Sequence, residues 1–330
     1  MPTALITGVT GQDGSYLSEL LLSKGYEVHG STRSTSTLER SSLAALIRDS
    51  EIYNKRLFVH RAELNDSATM REVLGKAAPD EVYHFAAQSH VGRSFQHPEE
   101  SCEATAMGTL RLLEAVRKMT KRPRFFHASS SEIFGSPSKS PQTEETAMAP
   151  VNPYGCAKAF ATQMVRIYRQ SFEMFACNGI LYNHESPRRG EDFVTRKICR
   201  AAAAIKLGRQ KELTLGDTSS RRDWGHAKDY VRGMWMALQH GTPEDFIFAT
   251  GKLHMVQDVV DIAFGTLDLD WKTFVKRDEQ LFRPSESQYR VGDPSKAETV
   301  LGWKREYEFK DMIREMTLSE LEVLKDSKED

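Results

Sequence analysis

The sequence predicts an α/β protein in which a doubly wound parallel sheet is followed by a smaller mixed α/β C-terminal lobe. Three observations predict it. Short apolar runs at 3–7, 27–30, 56–60, 81–87, 124–130 and 175–182 have the length and composition of strands buried on both faces. Amphipathic stretches at 15–24, 66–77, 105–118 and 155–172 fall between them, so strand and helix alternate as right-handed crossovers require. The first strand also runs straight into a glycine-spaced turn that opens a helix, the start of a Rossmann-type unit.

The first element, "TALIT", ends at Thr7, and the helix begins near Ser15. Between them Gly8, Gly11 and Gly14 are spaced three apart, as G-x-x-G-x-x-G instead of G-x-G-x-x-G. A turn this tight that also admits a ligand to the main chain needs residues without a Cβ. Free N–H groups at the helix start, with the helix dipole, favour a pyrophosphate there, so the turn is a dinucleotide-binding candidate. The second strand, "EVHG", leads into "STRSTST", with Arg33 among hydroxyl residues and no carboxylate before Glu39. An acidic residue there would select NAD through the ribose hydroxyls, and an arginine favours the 2′-phosphate of NADP. NADP is therefore expected, with NAD second.

The runs "RLFVH" and "EVYHFAA" supply the next strands, and "RFFHASS" a fifth that ends in "ASSSEIFG" at 128–135. After it comes "NPYGCAK" at 152–158, where Tyr154 and Lys158 are four apart and share one helical face. A lysine ammonium beside a phenol lowers the phenol's pKa, making tyrosinate a base near neutral pH. Behind a dinucleotide loop and a strand-end serine cluster, that pair is a catalytic candidate. The sixth strand is "FACNGILY". Beyond about residue 183 the alternation gives way to charged loops and separate helices at 193–207 and 225–239. The expected division is a dinucleotide-binding domain over 1–180, to which 224–250 returns, and a second lobe over 181–223 and 251–330.

Composition narrows the function. Forty-five basic residues face forty-six acidic ones, a net charge of −1, so no global field recruits nucleic acid or a membrane surface. No run approaches the ~20 apolar residues of a membrane span, and the start lacks a signal-type stretch. Cys102, Cys156, Cys177 and Cys199 form no C-x-x-C pair and no metal-ligand spacing, which suits reduced thiols in a cytoplasmic protein. No metal site is expected, and only the tail from about Ser319 shifts in composition.

The motifs together resemble the extended short-chain dehydrogenase/reductases that act on nucleotide sugars, most closely the GDP-mannose 4,6-dehydratases. The resemblance rests on "GVTGQDGSYLSELLLSKGYEVHG", "AAQSHV" at 86–91, "AMGTLRLLEA" at 106–115, "SSEIFG", "NPYGCAK", "ACNGILYNHESPRRGEDFVTRK" at 176–197, "RRDWGHAKDYV" at 221–231, "EDFIFATG" at 244–251 and "GDPSKAETVLGW" at 292–303. The stretch 176–197 is the most specific and points to a GDP-sugar.

The resemblance implies an internal redox cycle with catalytic residues Ser130, Glu132, Tyr154 and Lys158. Tyr154 takes the O4 proton as C4 is oxidised, Ser130 stands where the family has threonine, and Glu132 takes the C5 proton so that water leaves from C6. It also implies that Gly8, Gly11, Gln12, Asp13 and Gly14 line the cofactor pyrophosphate and that Arg33 and Ser34 lie in the cofactor loop. Glu63 and Leu64 are placed at the adenine, Ala86, Ala87 and Ser89 on the ribose side, and Lys158 at the nicotinamide ribose, with His184 and Arg189 completing the cofactor site. Ser89, Ser130, Glu132, Asn183, Lys197, Arg222 and Arg283 are the implied GDP-sugar contacts. A homodimer is implied, a homotetramer less firmly, because Ser34 replaces the second arginine of the family's loop. A GDP-linked heptose is an alternative substrate, and a nucleotide-sugar epimerase or reductase an alternative activity that Glu132 disfavours.

Overall fold

A computed structural model describes residues 1–278, 280 and 290–326. Seven parallel strands form the central sheet: β1 (Thr3–Thr7), β2 (Glu27–Thr32), β3 (Leu57–Arg61), β4 (Glu81–His84), β5 (Arg124–Ser130), β6 (Ala176–Leu181) and a late edge strand, Asp245–Phe248. Their spatial order runs from the late strand through β6, β5, β4, β1 and β2 to β3. The chain starts in the middle, winds to one edge and returns to lay β4 on the other side of β1. The doubly wound expectation holds, and the switch point lies between β1 and β4.

Alternation along β1 fixes which layer covers which face. Ala4 and Ile6 pack with Leu17 and Leu21 of α1 (Gln12–Ser23) and with Met234 of the helix Ala227–Gln239. Leu5 turns to the opposite face, toward Met70, Val73, Leu112, Val116 and Val165 from the helices Ser67–Ala77, Gly108–Arg117 and Pro153–Ser171. A second core joins Ile198, Trp224, Val260, Phe264 and Ile313, under the helices Val194–Lys206, Val256–Thr266 and Phe309–Asp326.

Two expected elements come out differently. β4 stops at His84 instead of reaching Ala87, because its neighbour β1 ends at Thr7. The chain then peels away with the N–H groups of Phe85 and Ala86 both donating to Thr7 Oγ1 at 3.2 Å. The helix expected from 105 begins at Pro98, is interrupted by a π turn over Glu103–Met107, and resumes to Arg117. Register aligns the strand ends: Thr7 is opposite Ser31 and His84, His84 opposite His127, and Ser130 opposite Leu181. That carboxyl edge is where open α/β sheets bind ligands.

Candidate functional site

A single cavity of about 1640 Å³ runs along this edge, larger than the ~300–1,000 Å³ that one ligand needs, and so sized for two in line. The predicted residues Gly8, Gly11, Gln12, Asp13, Gly14, Arg33, Glu63, Leu64, Ala86, Ala87, Ser89, Ser130, Glu132, Tyr154, Lys158, Asn183, His184, Arg189, Lys197 and Arg222 all line it. Ser34 does not. Its hydroxyl pairs with Ser36 on an exposed turn at 2.8 Å. Arg283 lies outside the described residues.

At one end the glycine turn does what its spacing asks. Gly8 has φ +74°, and Gly11 N–H donates to its carbonyl at 3.0 Å. A Cβ on Gly14 would stand 2.5 Å from Gly8 O and 2.6 Å from Val9 Cα, so only glycine lets α1 start this close to the strand end. The next two side chains serve a purpose the motif did not reveal. Gln12 donates to His184 O at 3.0 Å and accepts from Ser186 Oγ at 2.8 Å. Asp13 meets His184 Nε2 at 2.9 Å. Burial opposes charge on both groups, yet each charge outweighs it for the other, so the Asp13 carboxyl is lowered and the His184 imidazole raised. This pair and Gln12 tie the start of α1 to the strand Asn183–Glu185. Arg189 stacks 3.6 Å from the Phe193 ring and lies 3.1 Å from Glu185, which is 1% exposed, so this side of the cavity is a packed wall.

Further along, Leu64 packs on Gly108, where the π turn widens the helix against the cavity. Arg33 projects at the mouth and makes no ion pair among the described residues, and Arg40, Ser41 and Ser42 line the same end. Glycine turn, helix start, lysine and free arginine suit a nicotinamide dinucleotide.

At the centre, Asn152 caps the helix Pro153–Ser171 by accepting from Gly155 N–H at 2.8 Å. The cap points Tyr154 and Lys158 at the end of β5. Ser129 and Thr162 hydroxyls, 2.6 Å apart, pin the helix to that strand. Tyr154 hydrogen-bonds with Ser130, whose Oγ also accepts from Glu132 N–H at 3.2 Å. Here the electrostatic expectation needs correcting. Lys158 does not lower the Tyr154 phenol: its ammonium donates to Ala128 O at 2.6 Å and lies 5.9 Å from the ring centroid. Burial pushes Tyr154 up to about 12, with the Glu132 charge adding to it, and pushes Lys158 down to about 7. Beneath the lysine, burial holds His84 neutral with a pKa of about 3, and lowers His127 as well.

The pattern of the family described as GDP-mannose 4,6 dehydratase matches residues 5–316. The chain belongs to the GDP-mannose 4,6-dehydratase family. Over 98% of its length it is 47% identical to "GDP-mannose 4,6 dehydratase 2" of Arabidopsis thaliana, covering 88% of that protein. Over 97% it is 44% identical to "GDP-mannose 4,6-dehydratase" of Vibrio cholerae, covering 94%. Among solved structures, a dTDP-glucose 4,6-dehydratase of Streptomyces venezuelae superposes with a TM-score of 0.84 at 24% identity, each chain 97% covered. A UDP-glucose 4-epimerase of Thermotoga maritima gives 0.83 at 22%, covering 97% of this chain and 99% of its own. At those identities the likeness is one of fold.

In this dehydratase-family chain the other end of the cavity draws on residues that follow β6. Asn183 opens its strand at the wall, Lys197 donates to Thr214 O at 3.2 Å, and Arg222 sits on the two-residue strand paired with His254–Met255. Sequence reasoning missed two residues there. Asn152 donates to Glu132 Oε2 at 2.8 Å, and Arg290 Nη1 lies 2.5 Å from Oε1. Asn152 was legible as a helix cap before Pro153, although its second contact was not. For Arg290 no local signal exists. Among the described residues, no group of His, Cys, Asp or Glu is arranged to hold a metal, and no helix is long and apolar enough to cross a membrane.

Proposed function

We propose that this protein is a hydro-lyase that converts GDP-mannose to GDP-4-keto-6-deoxymannose and water, with NADP held as a recycled cofactor. The observation that carries the reading is Glu132, a carboxylate facing the cavity two residues past Ser130 and in the electrostatic reach of Tyr154. An oxidation or epimerisation at C4 alone has no use for a base at C5. The names of the Arabidopsis and Vibrio relatives agree with it. NADP in preference to NAD is supported by Arg33, which makes no ion pair among the described residues, and by Arg40 lining the same cavity, since guanidinium forks match phosphate oxygens.

When bound, the nicotinamide supplies a hydride acceptor for C4, a donor for C6 and a positive charge that favours anionic neighbours. Tyr154 accepts the O4 proton, and Ser130, already its partner, hydrogen-bonds the same oxygen. Lys158, amine and ammonium in comparable amounts near pH 7, accommodates a proton moving onward from the phenol. With C4 a ketone, the C5 proton is acidic. Glu132 takes it as the C6 hydroxyl departs, and later returns it to C5. The O4 proton and the leaving hydroxide together make the water.

Self-association as a dimer is supported by an exposed apolar stripe. Phe160 and Ile167 on the helix Pro153–Ser171 and Met107 on the neighbouring helix are 40%, 44% and 37% exposed.

The test is incubation of purified protein with GDP-mannose and no added nicotinamide, followed by mass spectrometry. Loss of one water is expected. No loss with GDP-mannose but loss with a GDP-heptose would overturn the sugar and keep the chemistry; loss with neither, even after NADP is supplied, would sink the reading.

A further inference from the structure

The proposed reaction asks most of Glu132, which must remove one proton and return it to the same carbon. Its carboxylate is gripped on both oxygens. Asn152 donates to Oε2 at 2.8 Å while its own Oδ1 caps the helix through Gly155 N–H, so Asn152 cannot turn away without uncapping the helix that carries Tyr154 and Lys158. Arg290 Nη1 stands 2.5 Å from Oε1, off the line of a good hydrogen bond, and so pairs mainly by charge.

What holds Arg290 is a strap formed by residues 290–293. Gln142 N–H donates to Val291 O at 2.9 Å, and Asp293 N–H donates to Gln142 O at 2.8 Å. Gly292 N–H donates to Asp223 Oδ2 at 3.3 Å. Gly292 is obligatory there, because a Cβ would stand 2.5 Å from Ala249 Cβ and 2.6 Å from Tyr182 Cε2. The strap is thus fixed against the ends of β6 and the late edge strand, and the Arg290 side chain, 9% exposed, has little room to swing. An exposed salt bridge would give Glu132 charge without direction. A buried guanidinium on a clamped strap fixes where the charge stands, and the clamped asparagine opposite supplies the directed hydrogen bond.

We propose that Arg290 is the positioning residue for Glu132: with Asn152 it fixes the carboxylate in the direction from which C5 is deprotonated. The proposal rests on the dehydratase reading above. In the step it serves, the C5–H bond breaks and its proton passes to Glu132. The freed pair forms the C5–C6 double bond, the C6–O bond breaks, and the hydroxide leaves as water with the proton released from O4. The preceding oxidation at C4 uses Tyr154 and Ser130 and does not need Arg290.

The test compares the full-length parent with Arg290→Gln and Arg290→Lys, using GDP-mannose and its 5-deuterated form. Single-turnover measurements follow reduced nicotinamide by its near-ultraviolet absorbance and water loss by mass spectrometry. For Arg290→Gln, water loss is expected to slow about 100-fold, the scale of a misdirected reacting group. KM should change less than about threefold, since Arg290 supplies direction and not uniform binding. C4 oxidation should proceed at the parent rate, reduced nicotinamide should accumulate, and the isotope effect at C5 should rise above the parent's. Arg290→Lys, which keeps the charge on a shorter side chain, should recover about tenfold of that loss. Water loss at the parent rate overturns the assignment, and so does equal slowing of C4 oxidation and water loss, which a general loss of pocket shape would give. If Arg290→Gln does not fold, Arg290→Lys decides alone: accumulated reduced nicotinamide supports the role and its absence overturns it. A parent that loses no water overturns the dehydratase reading itself, a result distinct from all of these.

Discussion

Replacing Gly14 by alanine tests whether the glycine turn is built for close approach to a phosphate. The added Cβ would meet three backbone atoms, Gly8 O at 2.5 Å, Val9 Cα at 2.6 Å and Val9 O at 2.8 Å, where ordinary contact begins at 3.4 Å. None of the three can rotate aside, so the start of α1 must retreat from the turn by about 0.9 Å, the difference between 3.4 and 2.5 Å. Overpacking of this kind costs about 2 kcal/mol, which for a chain of 330 residues, with an unfolding entropy of about 2.1 cal/mol/K per residue, lowers Tm by about 3 °C. The same retreat withdraws the helix's free N–H groups from the pyrophosphate position. Losing one to two charge-assisted hydrogen bonds there is worth about 2 kcal/mol, or about a 30-fold weaker Kd for NADP. Thermal unfolding with and without cofactor, and titration of the bound nucleotide by fluorescence, read the two effects separately. Gly75 is the internal control. It lies exposed in the helix Ser67–Ala77 with nothing within 4 Å of its Cβ position, so Gly75→Ala should stabilise by about 0.5–1 kcal/mol and leave Kd unchanged. A Gly14→Ala protein with the parent's Tm and Kd would refute the packing argument, and so would a Gly75→Ala protein damaged to the same degree.

Asp245 anchors the late edge strand: its buried carboxylate takes Arg166 Nε at 2.6 Å, Arg169 Nη2 at 2.9 Å and Asn178 Nδ2 at 2.9 Å. Burial raises its pKa, the two arginines and Asn178 outweigh burial, and the folded value lies below 3.8. Its contribution is therefore present above that pH and lost as pH falls through the folded value. Asp245→Asn should cost about 3–5 kcal/mol in urea unfolding at pH 7, with the gap to the parent closing below pH 3.8; a constant gap would contradict the linkage. Burial lowers the Lys158 pKa to about 7 against 10.5 unfolded, so between those values the unfolded chain holds more protons and stability rises with pH. Lys158→Met should flatten that rise in cofactor-free protein, and equal slopes for the two proteins would show that Lys158 titrates normally. Phe160→Arg together with Ile167→Arg should shift the protein toward monomer in sedimentation without lowering Tm by more than about 2 °C, because both side chains are largely exposed. An unchanged sedimentation coefficient would remove this stripe as the contact.

The strands could be read because a parallel sheet buried on both faces writes itself as continuous apolar runs, and β1 and β5 match their predicted bounds. The helix Pro98–Arg117 was only half legible. Its first turn carries Glu99 and Glu100, and the π turn at Glu103–Met107 breaks the 3.6-residue period that reveals a helix. Of the site, the local pieces were readable: a turn at 8–14, a strand end at 130–132 and a helix start at 152–158. The protonation of the Tyr154–Lys158 pair was not, because spacing shows that two residues share a face but not that the face is buried. Arg290 was invisible for a different reason. The stretch 292–303 begins just beyond it and says nothing of its role, which comes from a partner at position 132 that only the folded chain brings near.

The same topology divides the reaction between two parts of the molecule. Tyr154, Ser130 and Lys158 are held by β5 and the helix that follows it, whereas Glu132 also depends on the strap at 290–293. Asp223 fastens that strap: Oδ1 accepts from Thr250 N–H and hydroxyl at 2.8 and 2.6 Å, and Oδ2 from Gly251 and Gly292 N–H at 3.0 and 3.3 Å. Burial raises its pKa, and those four donors counter the rise. Asp223→Ala releases Gly292 and leaves β5 untouched, so it is expected to slow water loss at least tenfold more than C4 oxidation, on the scale of a misplaced reacting group. The ratio of the two rates is the right observable, because loss of folded protein scales both alike. A ratio equal to the parent's would mean that the strap only stabilises the lobe, and that Glu132 keeps its direction from Asn152 alone.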